Sequence, residues 1–356
     1  MNKKATIFGF SGQDGSYLAQ YLLSKGYDVY GVVRRVSDPS REFLTEMGLQ
    51  DVKLVQGDLS DSNSLYHLFK DIQPDECYNL AAQSHVGTSF SQPEYTGDVT
   101  GLGCLRLLEQ IRLHSPHTKF YQAGSSEQFG DVQESPQNEN TEFRPRSPYA
   151  AAKVYAHHIT KVYRESYGIF ACVGLLFNHE SPRRGKDFVT RKITSWIGEN
   201  YNALKSYDTV EPPAPLRLGN LDVKRDWGAA PDYVRGMYLM LQQEKPDDYV
   251  LATGENYSVR DFCNFAFHHI GITLKWIGEG DSERAVDAAN GNLIIQVDKQ
   301  FYRPCEVNLL LGDYSKAKTV LGWEPHVSFD ELVQWMVNYD VNTANKTNYA
   351  KASGAN

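Results

Sequence analysis

The sequence predicts an α/β fold, with a doubly wound parallel sheet in the first half of the chain and a smaller, mostly helical C-terminal domain after it. The prediction rests on short apolar runs that alternate with helical patterns, which is typical of a parallel sheet with helices on both faces. A glycine-rich turn follows the first apolar run, and beyond Phe177 prolines, glycines and charges interrupt the alternation. The C-terminal part is therefore expected to form a unit of its own.

The predicted elements follow one another along the chain as short strands and longer helices. The strands are predicted at Ala5–Phe8, Val29–Val33, Val52–Val55, Cys77–Ala81, Phe120–Ala123 and Phe170–Phe177. The helices are predicted at Tyr17–Ser24, Ser62–Lys70, Gly103–Arg112, Pro148–Tyr167, Val189–Glu199, Pro231–Gln243, Val259–His269 and Phe329–Tyr339. Gly26 suits the C-cap of the first helix. Residues 341–356 are polar and rich in small side chains, and we expect a mobile tail there.

Composition and charge exclude several classes of protein. The 356 residues carry 36 Lys+Arg against 44 Asp+Glu, which argues against a nucleic-acid partner. No apolar run reaches the roughly 18–20 residues of a membrane span, and Met1–Gly9 lacks the apolar core of an export signal. We therefore expect a cytoplasmic protein with no membrane partner. The five widely spaced cysteines include no C-x-x-C pair, which predicts buried thiols rather than disulfides or a metal site.

The glycine-rich turn, Gly9–Gly15, lies between the first strand and the first helix. This is the position of the dinucleotide-binding loop in a Rossmann-type sheet. Glycines let the backbone approach a pyrophosphate, and the helix N-terminus offers free N–H groups. The spacing G-x-x-G-x-x-G differs from the common G-x-G-x-x-G, so an ordinary glycine-rich turn is the alternative.

The end of the second strand indicates which dinucleotide is bound. NAD sites place an acidic residue there, whereas NADP sites place arginine near the 2′-phosphate. Here the strand is followed by Arg34 and Arg35, which predicts NADP, although a solvated pair of charges is the alternative. Asp58 and Leu59 follow the third strand and are expected at the adenine, unless Asp58 caps the next helix.

Ser147–Lys153 has the pattern of a helix start, with Ser147 as the N-cap and Pro148 in the first turn. Tyr149 and Lys153 are one helical turn apart and share a face. Because a nearby ammonium favours phenolate, this tyrosine is expected to act as a base on a substrate hydroxyl. Two unrelated residues on the helix surface are the alternative.

The fifth strand leads into Ser125, Ser126 and Glu127. The carboxyl ends of parallel strands are where ligands bind in such sheets, so Ser125 is expected to hydrogen-bond the same hydroxyl as Tyr149. Glu127 suits a reaction that removes a proton next to a new ketone. The alternatives are an acid at a helix start for Glu127 and a capping serine for Ser126.

These motifs resemble a known family. Gly9–Gly15, Asn79–Val86, Ser125–Glu127 and Tyr149–Lys153 look like those of the extended short-chain dehydrogenase/reductases. Within that family, longer segments are similar to the GDP-mannose 4,6-dehydratases: Arg146–His157, Phe177–Gly185, Phe188–Ile193, Gly219–Asp222, Arg225–Gly228 and Arg303–Val307. The resemblance extends from Ala5 to Tyr339, and the run N-H-E-S-P-R-R-G that begins at Asn178 is highly specific.

The resemblance implies an NADP-dependent lyase that acts on GDP-D-mannose. Tyr149, helped by Ser125 and Lys153, would deprotonate the 4-hydroxyl while hydride passes from C4 to NADP. Glu127 would remove the C5 proton, the 6-hydroxyl would leave as water, and hydride would return to C6. The product would be GDP-4-dehydro-6-deoxy-D-mannose, and the cofactor would end as it began.

The resemblance also implies the residues that bind each ligand. With the residues derived above, those expected at the cofactor are Gly9, Gly12, Gln13, Asp14, Gly15, Arg34, Arg35, Asp58, Leu59, Leu80, Ala81, Ala82, Gln83, Ser84, Tyr95, Tyr149, Lys153, His179 and Arg184. Those expected at the nucleotide-sugar are Ser84, His85, Ser126, Asn178, Lys192, Arg217, Arg303 and Glu306. The basic members would supply the positive charge that a diphosphate needs.

The chain is expected to divide between the two ligands. Residues 1–178 with roughly 229–255 would form the NADP-binding domain, and roughly 179–228 with 256–340 would bind the nucleotide-sugar. The resemblance implies a homodimer or homotetramer. However, the segment after Arg35 is shorter than usual in the family, where that region touches the cofactor of a neighbouring subunit.

The sequence also departs from the family at the fifth strand. Ser125 stands where threonine is usual, and Gly124 replaces a usual serine. A related sugar such as a GDP-manno-heptose is therefore an alternative substrate. An NADPH-dependent 4-keto-sugar reductase and a UDP-glucuronate decarboxylase are further alternatives, and Glu127 disfavours a 4-epimerase. A non-catalytic NADP-binding sensor would have no use for the whole set of Ser125, Glu127, Tyr149 and Lys153.

Overall fold

A central parallel sheet and a smaller second sheet organise the computed structural model, which describes residues 2–205, 212–302, 307 and 309–352. The strands are β1 (Lys4–Phe8), β2 (Asp28–Val33), β3 (Lys53–Gln56), β4 (Glu76–Asn79), β5 (Lys119–Ala123), β6 (Ala171–Leu176), β7 (Asn178–Glu180), β8 (Leu216–Leu218), β9 (Lys224–Arg225), β10 (Trp227–Ala229), β11 (Tyr249–Leu251), β12 (Tyr257–Ser258), β13 (Leu274–Ile277), β14 (Arg284–Asp287) and β15 (Leu293–Val297).

The helices flank both sheets. They are α1 (Gln13–Ser24), α2 (Asp38–Glu46), α3 (Ser62–Ile72), α4 (Val86–Ser91), α5 (Pro93–Thr96), α6 (Gly103–His114), α7 (Pro148–Tyr167), α8 (Val189–Lys205), α9 (Ala230–Leu241), α10 (Val259–His268) and α11 (Phe329–Ala352). Single turns of π-helix occupy Gly97–Leu102 and Ala317–Leu321, and short 3₁₀ turns occupy Ser126–Gln128, Gly280–Ser282 and Lys299–Phe301.

The central sheet has the strand order β3-β2-β1-β4-β5-β6-β11, and every neighbouring pair is parallel. The chain moves outward from β1 to β3 and then restarts at β4 on the other side of β1. In doubly wound sheets, ligands bind at the carboxyl edge beside this change of direction. The predicted doubly wound sheet and its predicted strands are thus confirmed.

Successive strand residues pack against helices on opposite faces of the sheet. On one face, Ile7 packs with Leu18 of α1 and Met237 of α9, and all three side chains are fully buried. On the other face, Phe8 and Phe120 pack with α3 and α6. Because each fully buried leucine or phenylalanine contributes about 1.5–3 kcal/mol, the two apolar layers hold the sheet rigid beneath its edge.

The C-terminal half is built on a second sheet of order β13-β14-β15-β8. Its apolar face packs with α8, α10 and α11 around Ile193, Phe262 and Leu332. The predicted helices α8, α9, α10 and α11 are present, but the sequence analysis did not predict the strands of this sheet. The strands β8, β13 and β14 are short and interrupted by charged residues, whereas the apolar run of β15 was overlooked.

Two helices extend beyond their predicted ends. Helix α1 begins at Gln13, inside the glycine-rich turn, rather than at Tyr17. Gly26 has φ +79° just beyond its end, as predicted. Helix α11 continues from Phe329 to Ala352, past the predicted end at Tyr339, so the first part of the predicted tail is helical.

In the part of the chain that the structure describes, no helix is long and apolar enough to cross a membrane. The four described cysteines, Cys77, Cys104, Cys172 and Cys263, are buried free thiols, as predicted for them. Cys305 lies outside the described residues.

Candidate active site

The carboxyl edge of the central sheet collects the chemistry-bearing segments that the sequence singles out. Gly9 follows β1, Arg34 follows β2, Asp58 follows β3, Leu80 follows β4 and Ser125 follows β5. Since these strands are parallel and adjacent, the segments meet along one edge.

The glycine-rich turn is shaped so tightly that side chains cannot replace its glycines. Gly9 has φ +76°, and a Cβ there would lie 2.8 Å from the backbone nitrogen of Ala81. A Cβ on Gly15 would lie 2.4 Å from the Gly9 carbonyl oxygen. Gly12 is the N-cap of α1, and no side chain caps the helix there. The first turn of α1 therefore presents backbone N–H groups to a ligand rather than to the protein.

Arg34 and Arg35 are exposed where β2 ends. Asp58, at the end of β3, accepts hydrogen bonds from the backbone N–H and the hydroxyl of Ser60 at 2.9 and 2.8 Å. Helix α3 is capped by Asp61, whose carboxylate accepts from two backbone N–H groups of its first turn. The alternative in which Asp58 caps this helix is therefore wrong.

The segment after β4 forms a hydrogen-bonded turn. The Gln83 side chain accepts from the His85 backbone N–H at 2.8 Å and donates to Thr96 Oγ1 at 3.1 Å. His85 caps α4 through Nδ1, which accepts from the Thr88 backbone N–H at 3.1 Å. Tyr95 lies farther out on α5 and is 47% exposed. The predicted residues Leu80–Ser84 thus lie at the sheet edge, while Tyr95 lies at the surface.

Ser125 begins the 3₁₀ turn that follows β5. Its Oγ accepts from the Glu127 backbone N–H at 3.2 Å, and its own N–H donates to Gln128 Oε1 at 2.8 Å. Ser126 is buried and is not the capping residue, whereas Glu127 is half-buried in the first turn. The turn thus holds Ser125 and Glu127 in a fixed relation. Gln128 was not among the predicted site residues.

Tyr149 and Lys153 lie in the first turns of α7, which begins at the predicted residue. Ser147 Oγ accepts from the Ala150 backbone N–H at 3.1 Å. Tyr149 is 8% exposed and Lys153 is 3% exposed, so the alternative of two helix-surface residues is wrong. Lys153 Nζ donates to the Ala123 carbonyl oxygen at 2.7 Å and lies 5.7 Å from the centroid of the Tyr149 ring.

Burial dominates the acid–base properties of this pair. It raises the pKa of Tyr149 to about 12, against the opposing effects of a hydrogen bond with Ser125 and the charge of Arg184. Burial also lowers the pKa of Lys153 to about 8. The lowered Tyr149 pKa expected from the sequence therefore does not occur in the chain alone, because the cost of desolvating a phenolate exceeds the gain from nearby charges.

A buried ion pair joins the glycine-rich turn to β7. Asp14 Oδ2 lies 2.8 Å from Nε2 of His179, and Nδ1 of the same ring lies 2.7 Å from the Phe177 carbonyl oxygen. Since a carboxylate and a carbonyl only accept, both ring nitrogens donate and His179 is an imidazolium. Burial opposes this charge, but Asp14 outweighs it and raises the His179 pKa. Gln13 extends the network by donating to the His179 carbonyl oxygen at 3.0 Å.

Arg184 follows the same segment. Its guanidinium carbon lies 3.7 Å from the centroid of the Phe188 ring, and its Nε lies 3.3 Å from Glu180 Oε2. That Nε is buried and makes no hydrogen bond with the residues that the structure describes. Arg184 Nε is thus paired with the Glu180 carboxylate by charge rather than by a well-aligned hydrogen bond.

Of the residues predicted at the nucleotide-sugar, Ser84, His85 and Ser126 lie in the turns after β4 and β5, and the others that the structure describes lie on β7, α8 and β8. Asn178 begins β7, and Lys192 Nζ lies 3.4 Å from the centroid of the Phe301 ring. Arg217 donates to Asp298 at 3.2 Å and is exposed. Sequence reasoning missed Phe301 and Asp298, for which no motif gave a signal. Arg303 and Glu306 lie outside the described residues.

Comparisons with known proteins agree with this arrangement. A sequence model described as GDP-mannose 4,6 dehydratase matches residues 6–336. A GDP-mannose 4,6-dehydratase of Vibrio cholerae is 48% identical, over 99% of this chain and 98% of that one. The GDP-mannose 4,6 dehydratase of Homo sapiens is 49% identical, over 95% of this chain and 91% of its own.

A solved structure shares the fold. The dTDP-glucose 4,6-dehydratase of Bacillus anthracis, crystallised in complex with NAD, has a TM-score of 0.76 at 18% identity, covering 96% of this chain and 98% of that chain. At this identity the likeness concerns the fold alone. The match of the family model across nearly the whole chain, with relatives near half identity, decides the assignment: the chain belongs to the GDP-mannose 4,6-dehydratase family.

Proposed function

We propose that the chain is an NADP-dependent GDP-mannose 4,6-dehydratase, a lyase that converts GDP-D-mannose to GDP-4-dehydro-6-deoxy-D-mannose and water. One observation carries the proposal: Ser125, Glu127, Tyr149 and Lys153 gather at the carboxyl edge of the sheet in a chain related over its full length to GDP-mannose 4,6-dehydratases.

The residues at the sheet edge fit a nicotinamide dinucleotide. The uncapped start of α1 and the glycines that allow its close approach suit a diphosphate. Arg184, whose charge acts on Asp14 at the start of α1, adds a cation beside it. The exposed Arg34 and Arg35 favour the 2′-phosphate of NADP over the bare ribose of NAD. Bound at these residues, NADP would supply a hydride acceptor for C4 of the sugar and a hydride donor for C6.

Tyr149 would accept the first proton, that of the sugar 4-hydroxyl. The Tyr149 hydroxyl is hydrogen-bonded to Ser125, so the hydroxyl oxygens of Tyr149 and Ser125 can both hydrogen-bond the sugar 4-hydroxyl. A phenol whose pKa stands at about 12 in the chain alone is a poor base. Lys153, held against Ala123, supplies a nearby cation that favours the phenolate once ligands exclude water from the site.

Glu127 would accept the second proton, that of C5. Oxidation at C4 makes the C5 hydrogen acidic, and a half-buried carboxylate beside Ser125 is in place to remove it. The charge of Glu127 helps to raise the Tyr149 pKa, which supports a role for the two groups at one site. The same carboxyl group would then give the C5 proton to the 6-hydroxyl, which leaves as water, and C5 would regain a proton from solvent when hydride returns to C6.

The predicted division of the chain is retained as part of the proposal. Residues 1–178 with roughly 229–255 would bind NADP, and roughly 179–228 with 256–340 would bind the nucleotide-sugar. Separate buried clusters support this division, since Leu18 and Met237 pack around the first sheet and Phe262 and Leu332 around the second. Lys192 on α8 and Arg217 on β8 would give the nucleotide-sugar domain positive charge suited to a diphosphate.

We also propose that the chain forms a homodimer or a homotetramer. Helices α6 and α7 lie side by side and expose large apolar side chains, a feature of surfaces that bind a partner. These are Leu113 of α6 and Tyr155, Val162 and Tyr167 of α7. Light scattering of the purified chain and of a Val162→Glu variant tests this, because a charge in the interface would release monomers.

Mass spectrometry tests the proposed activity. The chain is incubated with NADP and, separately, with GDP-mannose, a GDP-manno-heptose and a UDP-hexose. Loss of one water from GDP-mannose, without net change in NADPH, is the expected result. Steady consumption of NADPH would instead support a reductase, and no turnover of any sugar would support a cofactor-binding sensor.

A further inference from the structure

Gln128 is buried within the turn that carries the proposed catalytic groups. Its side chain is fully buried, at 0% exposure, and its Oε1 accepts from the Ser125 backbone N–H at 2.8 Å. Its Nε2 is buried and makes no hydrogen bond with any residue that the structure describes. The orientation of the amide is therefore set by Ser125 alone, because a rotated amide would place two donors against each other.

The close fit around Gln128 depends on the preceding glycine. A Cβ on Gly124 would lie 2.8 Å from Gln128 Oε1 and 2.7 Å from the Gly174 carbonyl oxygen. The Gly124 N–H donates to that carbonyl at 2.7 Å, which fixes the turn against β6. A serine would not fit at this position, so Gly124 and Gln128 form a matched pair.

Two hydrogen bonds then determine where the proposed catalytic groups point. Gln128 holds the backbone of Ser125, and Ser125 Oγ accepts from the Glu127 backbone N–H at 3.2 Å. With one lone pair of this hydroxyl used by Glu127, its proton is left to interact with Tyr149 or a ligand. A shift of the Ser125 backbone would move both Ser125 and Glu127.

We propose that Gln128 is a positioning residue, which orients Ser125 and Glu127 for proton transfer without touching the substrate. The inference rests on the proposed dehydratase function. Complete burial keeps Gln128 from a bound sugar, so its effect is transmitted through the Ser125 N–H. A misplacement of about 1 Å can slow an enzyme about a hundredfold, so loss of this hydrogen bond is expected to lower kcat rather than to raise KM.

The test compares two buried glutamines with the same local role. Gln137 is also fully buried, and its Oε1 accepts from the Leu311 backbone N–H at 3.0 Å, away from the catalytic turn. Gln128→Met is expected to lower kcat about tenfold to a hundredfold, with the KM for GDP-mannose and the Kd for NADP within about twofold of wild type. Gln137→Met is expected to leave kcat within about twofold while lowering Tm. Gln128→Glu, which keeps an oxygen acceptor, is expected to restore most of the lost kcat.

Equal kcat values in the two Met variants would overturn the proposal, and so would a Gln128→Glu enzyme as slow as Gln128→Met. Amide hydrogen exchange at Ser125 in the wild-type chain gives a measurement that depends on neither turnover nor the folding of a variant. Slow exchange is expected, and fast exchange would overturn the proposal. If the wild type forms no dehydrated product, the proposed function fails, whereas exchange at Ser125 still decides whether Gln128 holds the turn.

Discussion

Asp14 Oδ2 lies 2.8 Å from Nε2 of His179, which joins the first turn of α1 to β7 across the carboxyl edge of the central sheet. Both side chains are largely buried. The pair puts a cation beside the proposed diphosphate site and balances it with a carboxylate, so that the site is polar without carrying net charge from these two groups. The charge of Asp14 also acts on Tyr149, whose pKa it raises.

Asp14→Asn is expected to lower the free energy of unfolding by about 3–5 kcal/mol at neutral pH, because the imidazolium loses its buried partner. The His179 pKa is raised in the folded chain, so its contribution is complete below the unfolded pKa and is lost as pH rises through the folded one. The Asp14 pKa is lowered although burial opposes the shift, so its contribution is lost as pH falls. Urea unfolding across this pH range measures both limits.

Asp98→Asn provides the control for Asp14→Asn, since Asp98 forms a more exposed ion pair with Arg106. That substitution is expected to cost no more than about 1 kcal/mol. An Asp14→Asn effect as small as this, or one that does not diminish at alkaline pH, would contradict an ionised pair.

Lys153→Met is expected to abolish most activity without destabilising the chain. Loss of the cation beside Tyr149 removes a contribution to proton transfer of about 10²–10⁴-fold. In the folded chain, burial lowers the Lys153 pKa to about 8, so the ammonium is unfavourable below that pH. The wild-type free energy of unfolding should therefore rise with pH between about 8 and the unfolded pKa near 10.5.

Denaturation at several pH values measures the effect of Lys153→Met on the free energy of unfolding. Mass spectrometry of the product measures its effect on activity. The rise of the free energy of unfolding above pH 8 should be absent in Lys153→Met. A variant that keeps its activity, or a wild type whose stability is flat in this window, would contradict the assignment of a buried ammonium to Lys153.

Glu127→Gln is expected to bind NADP as the wild type does but to form at least about a hundredfold less dehydrated product. The amide preserves the shape of the turn after Ser125 and lacks a carboxylate to take the C5 proton. Calorimetry with NADP measures the first property and mass spectrometry of GDP-mannose turnover the second. Undiminished loss of water would remove Glu127 from the proposed mechanism.

Local signals made much of this arrangement predictable from sequence. Helix α7 begins at Pro148 and ends at Tyr167 as predicted, because Ser147 caps its start and Gly168 ends it with φ +66°. The strands β1 to β6 were found because buried parallel strands form continuous apolar runs. The regular alternation of strands and helices places both Tyr149 and Ser125 at the same edge of the sheet.

Features that depend on distant residues were not predictable. Asp14 and His179 are far apart in sequence, and neither the glycine-rich turn nor the run that begins at Asn178 indicates that the two side chains form a pair. Gln128 was missed although its spacing from Ser125, S-x-x-Q, is that of a capping box, because the turn was not recognised as the start of a helix. The neighbours of Tyr149 were foreseen, but the sign of its pKa shift was not, because sequence gives the charges near a group and not the depth at which it is buried.

Gly9→Ala is expected to destabilise the chain far more than Gly26→Ala, although both glycines have positive φ. A Cβ on Gly26 meets no atom within 4 Å, so that variant bears only the backbone cost of about 1–2 kcal/mol. A Cβ on Gly9 also collides with the backbone at Ala81. Urea unfolding should show a larger loss of stability for Gly9→Ala than for Gly26→Ala, and calorimetry should show loss of NADP binding for Gly9→Ala alone. Equal effects in the two variants would show that the turn does not need its close approach to β4.

The double variant Arg34→Ala/Arg35→Ala is expected to weaken NADP binding about 10²–10⁴-fold and to leave NAD binding unchanged, because each of two charged hydrogen bonds to the 2′-phosphate is worth about 1.5–3 kcal/mol. Calorimetry with both dinucleotides measures this difference. Arg284→Ala removes an exposed arginine from the second sheet and controls for a general loss of positive charge. The wild type should bind NADP more tightly than NAD, since both arginines stand where an acidic residue would hold the ribose of NAD. Equal affinities would mean that the arginines at the end of β2 do not select the cofactor.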